Sequence, residues 1–213
     1  MVGHILRRLE WAVVVIDTVP WRLERARGEG FETVLGDARD AVTHEEAGVE
    51  ADTRVVAATT NDELNLLVAE LVHHEFDVSH PVAVLQRPPE ELGRRSRAWL
   101  DLLGGGAMDV PRWLRRIEAG QVVQAELDLG RGEVLRLLQQ TERQHSGDVL
   151  RLLAVTGGRP RFGVAGEIRE EWERLVVLVA RGQAEEMLAP ALEAAEAEPG
   201  KEGAPRGEKA ADG

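Results

Sequence analysis

Short apolar runs alternate with helical patterns along the first half of the chain. The runs with strand character are rich in Val, Ala and Leu, and they lie at residues 12–17, 32–35, 53–59, 80–86 and 107–110. Between them, apolar residues recur at the three- and four-residue spacing of amphipathic helices, at residues 21–27, 41–47, 62–74 and 90–103. Strands that alternate with helices form right-handed βαβ units. The pattern therefore predicts an α/β fold with a doubly wound parallel sheet, which places ligands beyond the carboxyl ends of its strands.

The second half of the chain has a different pattern. Residues 112–120 predict a short linker helix between a first domain at 1–111 and a small α+β domain at 121–194. In that second domain, strand patterns lie at 122–129, 148–156 and 175–180, helical patterns lie at 131–144 and 183–194, and Gly157-Gly158 indicates a turn. Residues 195–213 are rich in Ala, Glu, Gly, Lys and Pro, which is typical of a disordered tail.

Composition excludes several classes of function. The chain has 213 residues and no cysteine, so disulfides, thiolate metal sites and cysteine nucleophiles are excluded. Its net charge of -12 argues against a nucleic-acid partner, because phosphate binding needs a basic face. No apolar run approaches the roughly 18 residues of a membrane helix, and the amino terminus lacks a signal-peptide pattern. We therefore expect a cytoplasmic protein that does not insert into the membrane and reaches it only through a membrane-protein partner.

Three segments at predicted strand ends carry candidate chemistry. Asp17 ends the first apolar run, where a carboxylate can accept hydrogen bonds from the ribose hydroxyls of a nucleotide. The turn Gly36-Asp37-Ala38 follows the second run, and there a glycine permits close approach to a flat ring while Asp37 can accept from an adenine amino group. Ala58-Thr59 and Asp62 end the third run and begin a helix, whose free amides can meet phosphate or ribose. Taken singly, a helix cap or a plain turn explains each segment as well.

In this order and spacing, the three segments resemble the regulator-of-potassium-conductance family, also called TrkA-N. The matching text is VVVIDTVPWRLERARGEGFETVLGDARD followed by EEAGVEADTRVVAATTNDELNLLVAELV, which covers about half of the chain. The positions on the family pattern are Asp17, Gly36, Asp37, Ala47-Gly48, Ala58-Thr59, Asp62 and Asn65. Residues 121–189 resemble the small carboxyl-terminal domain of the family more weakly, and no ligand residue is assigned there.

The resemblance implies a Rossmann-like domain that binds NAD(H), ATP or ADP. The binding residues it implies are Gly3, Asp17, Gly36, Asp37, Ala38, Ala58, Thr59, Asp62 and Arg87. It also implies a cytosolic regulatory subunit of a potassium or other monovalent-cation transporter or channel, which forms a homodimer or a higher even oligomer. Trp99 and Trp113 flank the region where the family dimerises, so we expect them at a subunit interface.

One departure from the family pattern concerns the amino terminus. The family begins with a strand and a G-x-G-x-x-G turn, of which only the last glycine, Gly3, is present here. The missing strand is normally central, so we expect two strands without a neighbour and a gap in the sheet. Three explanations of the missing segment stay open. One is that the start codon is assigned too late, another is that the protein is a degenerate member of the family that no longer binds dinucleotide, and the third is that the chain is the detached cytosolic end of a cation/proton antiporter.

The remaining polar residues do not predict an enzyme. Two alternatives to the regulatory role are an NAD-dependent oxidoreductase relic and a non-binding assembly module. No nucleophile–base arrangement or buried carboxylate pair stands out, so we predict no catalytic residues. Glu70 and His74 are four residues apart on a predicted helix, yet a solvated helix end is the simpler interpretation, and no metal site is predicted. His44, beside two glutamates, is expected at the surface.

Overall fold

A computed structural model describes residues 2–196 except 9, 89–95, 131, 146, 163 and 165–167. The elements of the first half are α1 (Val2–Arg8), β1 (Val14–Asp17), α2 (Pro20–Gly28), β2 (Glu32–Leu35), α3 (Ala41–Glu46), β3 (Val56–Ala57), α4 (Asp62–Glu75), β4 (Val82–Leu85), α5 (Ser96–Trp99) and β5 (Asp101–Ala107). Those of the second half are α6 (Val110–Glu118), β6 (Val122–Asp128), α7 (Gly132–Gln144), β7 (Val149–Thr156), β8 (Arg159–Arg161), β9 (Arg174–Ala180) and α8 (Gln183–Glu196).

The parallel strands of the first half form two separate sheets. One sheet pairs β1 with β2, and the other has the order β3-β4-β5. In the part of the chain that the structure describes, β1 and β3 are not hydrogen-bonded to each other. The predicted α/β fold with parallel strands is confirmed, and so is the predicted gap, which interrupts the sheet between β1 and β3.

Helices cover both faces of the β3-β4-β5 sheet. Val82 and Val84 point to one face of β4 and pack with Ile5 and Leu6 of α1. The alternate residues Ala83 and Leu85 point to the other face, where Ala69 of α4 packs against them. All of these strand residues are at most 2% exposed, as expected for a parallel strand that is buried on both sides. The sheet is therefore doubly wound.

The second half forms an antiparallel sheet with α7 and α8 on one face. The strand order is β6-β9-β7-β8, and Gly157 and Gly158, both with positive φ, make the turn between β7 and β8. The other face of this sheet packs on the first half. Leu152 and Val176 belong to the same buried cluster as Leu103, Trp113 and the α1 residues. One hydrophobic core therefore runs across the predicted domain boundary at residue 111.

Several predicted elements need correction. The helix predicted at 90–103 ends at Trp99, and Leu102 and Leu103 lie in β5, because Leu102 pairs with Ala83 of β4 and Leu103 is buried in the shared core. Residues 90–95 of that prediction fall outside the described residues. The short strand predicted at 107–110 is instead the end of β5 and the start of α6.

The largest omissions of the prediction are α1 and β8, which have no counterpart in the predicted elements. At the carboxyl terminus, α8 continues to Glu196 and so includes the first two residues of the predicted tail, while 197–213 lie outside the described residues. Within the ranges that the structure describes, no helix has the length and apolar character needed to cross a bilayer.

Candidate functional site

The carboxyl ends of β1 and β2 meet at Asp17 and Gly36. The backbone N–H of Gly36 donates to the carbonyl of Asp17 at 3.2 Å. The carboxylate of Asp17 accepts from the N–H of Val19 at 2.9 Å, and its second oxygen lies 3.4 Å from the guanidinium of Arg22. The side chain of Asp17 is 25% exposed and that of Arg22 is 57% exposed. Arg22 can therefore move into solvent, which would free one carboxylate oxygen for a hydroxyl donor.

Gly36 has a packing reason to be glycine. A Cβ at this position would lie 2.6 Å from both Cγ2 and Oγ1 of Thr43, which is far inside van der Waals contact. Thr43 is buried in α3, the helix that follows the turn. The glycine in the predicted adenine turn is thus required by the approach of α3, whether or not a ring lies against it.

Asp37 is held by an arginine two residues away. Nε of Arg39 donates to both carboxylate oxygens of Asp37 at 3.0 Å, and the N–H of Arg39 donates to Oδ1 at 2.9 Å. The hydrogen bonds from the guanidinium, and then the one from the backbone, lower the pKa of Asp37 to about 2. Asp37 is therefore an anion at neutral pH, and an adenine amino group would share its oxygens with Arg39.

Ala38 is tied to a buried histidine. Nε2 of His44 donates to the carbonyl of Ala38 at 2.8 Å. His44 is 1% exposed and its ring contacts that of Phe76 edge-on, so the expectation of a surface position is wrong. The acidic neighbours Glu45 and Glu46 misled the prediction, because in a helix adjacent residues point to different faces. His44 fixes the path of the chain from the Gly36 turn into α3.

Asn65 fixes the position of Thr59 after β3. Oδ1 of Asn65 accepts from the backbone N–H and the hydroxyl of Thr59 at 2.9 and 2.7 Å. Its Nδ2 donates to the carbonyls of Thr59 and Val84 at 3.0 and 2.8 Å. Because Ala57 pairs with Ala83, the next rung of the ladder would join the N–H of Thr59 directly to the carbonyl of Val84.

The side-chain amide of Asn65 takes the place of this hydrogen bond between Thr59 and Val84. It separates the chain of β3 from β4, which explains why β3 ends at Ala57 rather than at the predicted residue 59. The family resemblance includes Asn65, but the predicted binding residues did not. A polar residue on the α4 face that also carries Val68 and Val72 was the available signal, since a buried amide must find partners.

Asp62 and Arg87 join α4 to the end of β4. The buried carboxylate of Asp62 accepts from the backbone N–H of Gln86 at 2.9 Å and of Arg87 at 3.0 Å. The guanidinium of Arg87 donates to Glu63 at 3.0 Å. Both predicted ligand residues therefore have partners within the protein, and Asp62 in particular stabilises the loop after β4.

A cavity lies between the two parallel sheets. Its volume is about 170 Å³. Its walls come from both sheets and from the helices behind them, namely Val14, Ile16, Ala38, His44, Ala47, Val49, Val55, Val56, Ala57, Ala58, Thr59 and Val68. Three predicted binding residues, Ala38, Ala58 and Thr59, thus share one cavity. Asp17, Gly36, Asp37, Asp62 and Arg87 are not among its lining residues.

Gly3 lies away from this group of residues. A Cβ on Gly3 would be 3.0 Å from the ring of Phe31 and 3.6 Å from Val13, which precede β2 and β1. These contacts are at the amino ends of the strands, whereas the predicted phosphate position is at the carboxyl ends. The structure therefore does not bring Gly3 together with Asp17 or Thr59.

The two tryptophans expected at a subunit interface have contacts inside the chain. Trp113 is 5% exposed in the shared core, so it is not available to a partner in this structure. The ring of Trp99 stacks on His73 with a centroid distance of 4.5 Å. Among the described residues no group of three or more His, Asp or Glu side chains is placed to hold a metal ion.

Comparison with known proteins extends the resemblance seen in the sequence. The TrkA-N domain family matches residues 1–94. No curated protein is significantly similar to the chain. Among solved structures, the crystal structure of the GsuK RCK domain aligns with 85% of this chain and 46% of its own, at 13% identity and a TM-score of 0.29.

The chain thus spans less than half the length of that solved structure. The fold assignment depends on the strand topology and on the family match. Parallel βαβ units, the acid that ends β1 and the Gly-Asp-Ala turn after β2 all fall within the matched range. Over residues 1–94, this chain is therefore similar to a TrkA-N domain.

Proposed function

We propose that this chain is a nucleotide-sensing regulatory protein of a potassium or other monovalent-cation transporter. The family match supports a regulatory role in potassium transport, and TrkA-N domains generally bind NAD(H). The observation that carries the proposal is the hydrogen bond between Gly36 and Asp17, which places the acid and the Gly-Asp-Ala turn side by side at the strand ends.

The adenosine end of a nucleotide fits the residues present. Asp17 would accept from the ribose hydroxyls once Arg22 turns away, and Asp37 would accept from the adenine amino group. Thr59, whose N–H and carbonyl are bonded to Asn65, lies after β3 and lines the cavity between the two sheets. The phosphate end has fewer partners, because Gly3 lies against Phe31. The fit therefore favours a ligand recognised chiefly through its adenosine.

Regulation needs only a difference in affinity between two conformations. If one arrangement of β1 relative to β3 holds adenosine better, ligand shifts the population toward it. A dimer would pass that shift to a membrane transporter through its subunit contacts, with the coupling energy set by the affinity ratio. The dimer, the transporter and the choice of nucleotide are all parts of this proposal.

Calorimetry with NADH, NAD, ATP, ADP and adenosine tests the sensing step. We expect saturable binding of at least one of them, and at least a tenfold loss in Asp17→Ala, because a carboxylate that accepts from two hydroxyls is removed. Asp52→Ala, at an exposed acid in the loop before β3, is the control and should bind as the parent does. If none of the five ligands binds, or Asp17→Ala binds as well as Asp52→Ala, nucleotide sensing is wrong.

A specific contact favours a second candidate, an assembly module that binds no nucleotide. Arg39 occupies both oxygens of Asp37, which is the predicted adenine acceptor. Arg39→Ala separates the two functions in the same calorimetry. Binding gained only in Arg39→Ala would mean that the ion pair excludes adenine in the parent protein. If neither the parent protein nor Arg39→Ala binds any of the five ligands, the assembly module is favoured.

A further inference from the structure

The outer face of α7 carries a row of cationic and amide side chains. Val134 and Leu138 of this helix point inward and belong to the core that the helices form with the antiparallel sheet. On the opposite side Arg136, Gln140 and Arg143 are exposed, and an open groove of about 400 Å³ lies among them. Guanidinium groups donate hydrogen bonds and cannot accept them. These three exposed residues, the α7 row, therefore form a positively charged surface that needs acceptors.

The outer face of α8 carries a row of the opposite charge. Leu188 and Ala191 are buried in the same core, while Glu186, Pro190 and Glu193 are exposed. Ionised carboxylates accept hydrogen bonds and cannot donate them. Pro190 lies inside the helix and has no N–H, so the carbonyl of Glu186, four residues earlier, lacks its intrahelical donor. These three exposed residues, the α8 row, therefore form a negatively charged surface that needs donors.

The two rows are not paired with each other within one copy of the chain. The guanidinium of Arg136 donates to the carbonyl of Gly132 at 3.3 Å, in its own helix. Among the described residues, Arg143, Glu186 and Glu193 have no ion-pair partner, and no ion pair joins α7 to α8. Because both helices cover the same face of the antiparallel sheet, both rows point to the same side of the molecule, away from that sheet.

The charges of the two rows have the same spacing. Arg136 and Arg143 are seven residues apart, and so are Glu186 and Glu193. At a rise of about 1.5 Å per residue, the two charges of each row are separated by about 10 Å along the helix. The helices run in opposite directions, because α7 returns from β6 to the parallel strand β7, whereas α8 turns back from the antiparallel strand β9. Both charges of one row can therefore lie opposite both charges of the other.

We propose that the α7–α8 face is the contact surface between two copies of this chain, with the α7 row of each copy against the α8 row of the other. A two-fold axis parallel to the helices gives this arrangement and makes the two contacts identical. Arg136 then lies opposite Glu193 of the partner subunit, and Arg143 lies opposite Glu186 of the partner subunit. The carbonyl that Pro190 leaves without a donor adds an acceptor for the amide and guanidinium groups of the α7 row.

A second copy satisfies both rows at once, which identifies the occupant. An acidic partner would pair with the α7 row only, and a basic partner would pair with the α8 row only. Since each chain has a net charge of -12, two copies repel each other as a whole, and their association needs a surface on which opposite charges meet. The inference rests on the proposed function for its dimer, and it supplies a contact surface that the buried Trp113 does not.

Charge reversal followed by sedimentation velocity at low salt tests this surface. The variant Arg136→Glu/Arg143→Glu has two acidic rows, and the variant Glu186→Arg/Glu193→Arg has two basic rows. We expect the parent protein to form a dimer and each variant alone to associate at least about tenfold more weakly, because like charges face each other at every pair. An equimolar mixture of the two variants should recover the dimer, since each acidic row then meets a basic one. That recovery also shows that both variants are folded.

The matched control is Arg8→Glu/Arg159→Glu. It changes the net charge by the same amount as the acidic-row variant, at two exposed positions outside α7 and α8. We expect it to dimerise as the parent does, because the contact depends on where the charges lie and not on their sum. Added salt should weaken the dimer of the parent protein, since screening shortens the reach of exposed charges.

Three results would overturn the proposal. A parent protein that stays monomeric at low salt would mean that the two rows are solvated surfaces. Variants that each dimerise as the parent does would mean that the subunits meet through another surface. A mixture that stays as monomeric as the separate variants would mean that the rows do not face each other. No nucleotide is present in these measurements, so the failure of this surface and the failure of nucleotide sensing are distinguishable.

Discussion

Replacement of Asn65 with leucine removes the amide that joins β3, β4 and α4. Asn65 is fully buried and makes hydrogen bonds with the N–H, hydroxyl and carbonyl of Thr59 and with the carbonyl of Val84. Leucine has nearly the same volume and the same branch point, so Asn65→Leu tests the hydrogen bonds rather than the packing. The side chain also lies in α4, where leucine is a better helix former than asparagine.

The size of the effect follows from where each bond lies. Val84 is 2% exposed, so its carbonyl would lose its side-chain donor with little access to water, at a cost of about 1–3 kcal/mol. Thr59 is exposed, so water can replace its lost partners, at a net cost of about 1 kcal/mol for the group. We therefore expect Asn65→Leu to lower the free energy of unfolding by roughly 2–4 kcal/mol.

Urea denaturation followed by tryptophan fluorescence measures this difference. The midpoint should fall with little change in the slope m, because the surface exposed on unfolding is the same. Leu67→Ala, at a position of α4 that is 47% exposed, is the matched control and should change stability by less than about 0.5 kcal/mol. A loss of less than about 0.5 kcal/mol in Asn65→Leu would refute the reasoning, since β3 would then extend and pair Thr59 directly with Val84.

Two further substitutions test the geometry elsewhere. Gly36→Ala should lower stability by about 1–3 kcal/mol in urea denaturation, because its Cβ would lie 2.6 Å from Thr43. The penalty should shrink when Thr43→Ala is combined with it, and an equal penalty in both backgrounds would mean that the clash is not the cause. Asp101→Asn tests a carboxyl whose pKa is raised by burial, against the opposing charges of His80, Arg54, Arg169 and Arg161. Since the folded state binds this proton more tightly than the unfolded state, the ionised carboxylate destabilises the fold above its raised pKa. Asp101→Asn should therefore stabilise the protein at neutral pH, and this advantage should disappear as the pH falls below the ordinary value of 3.8. An advantage that does not vary with pH would contradict this account.

The elements of the first half could be predicted where one local signal determined them. β2 has the predicted bounds Glu32–Leu35, and α4 begins at Asp62 after an Asn61 cap, within the polar segment that the sequence offers for a helix start. The apolar spacing of α4 does not by itself identify its inward face, since Leu67 is 47% exposed while the polar Asn65 is buried. Spacing alone cannot show which of two adjoining helix faces meets the sheet.

Other features depend on contacts that are distant in sequence. The spacing of Leu102 and Leu103 fits a helix, but both residues lie in β5. Leu102 pairs with β4, and Leu103 packs in the core that is shared with the antiparallel sheet. β8 carries a proline between two arginines and lacks alternation, so only its pairing with β7 defines it. The position of Gly3 beside Phe31 likewise depends on where α1 packs, which the glycine pattern does not specify.

The core that α1 shares with β7 and β9 makes the two halves mechanically dependent. Ile5, Val84, Leu152 and Val176 belong to one cluster, so a rotation of α1 changes the surface on which the antiparallel sheet sits. Close-packed interiors transmit such displacements instead of absorbing them. A fragment that ends at residue 111 would therefore expose aliphatic side chains that the antiparallel sheet covers in the whole chain. A displacement of the strand ends in the first half would be transmitted to the antiparallel sheet by direct side-chain contact, without a flexible hinge between the halves.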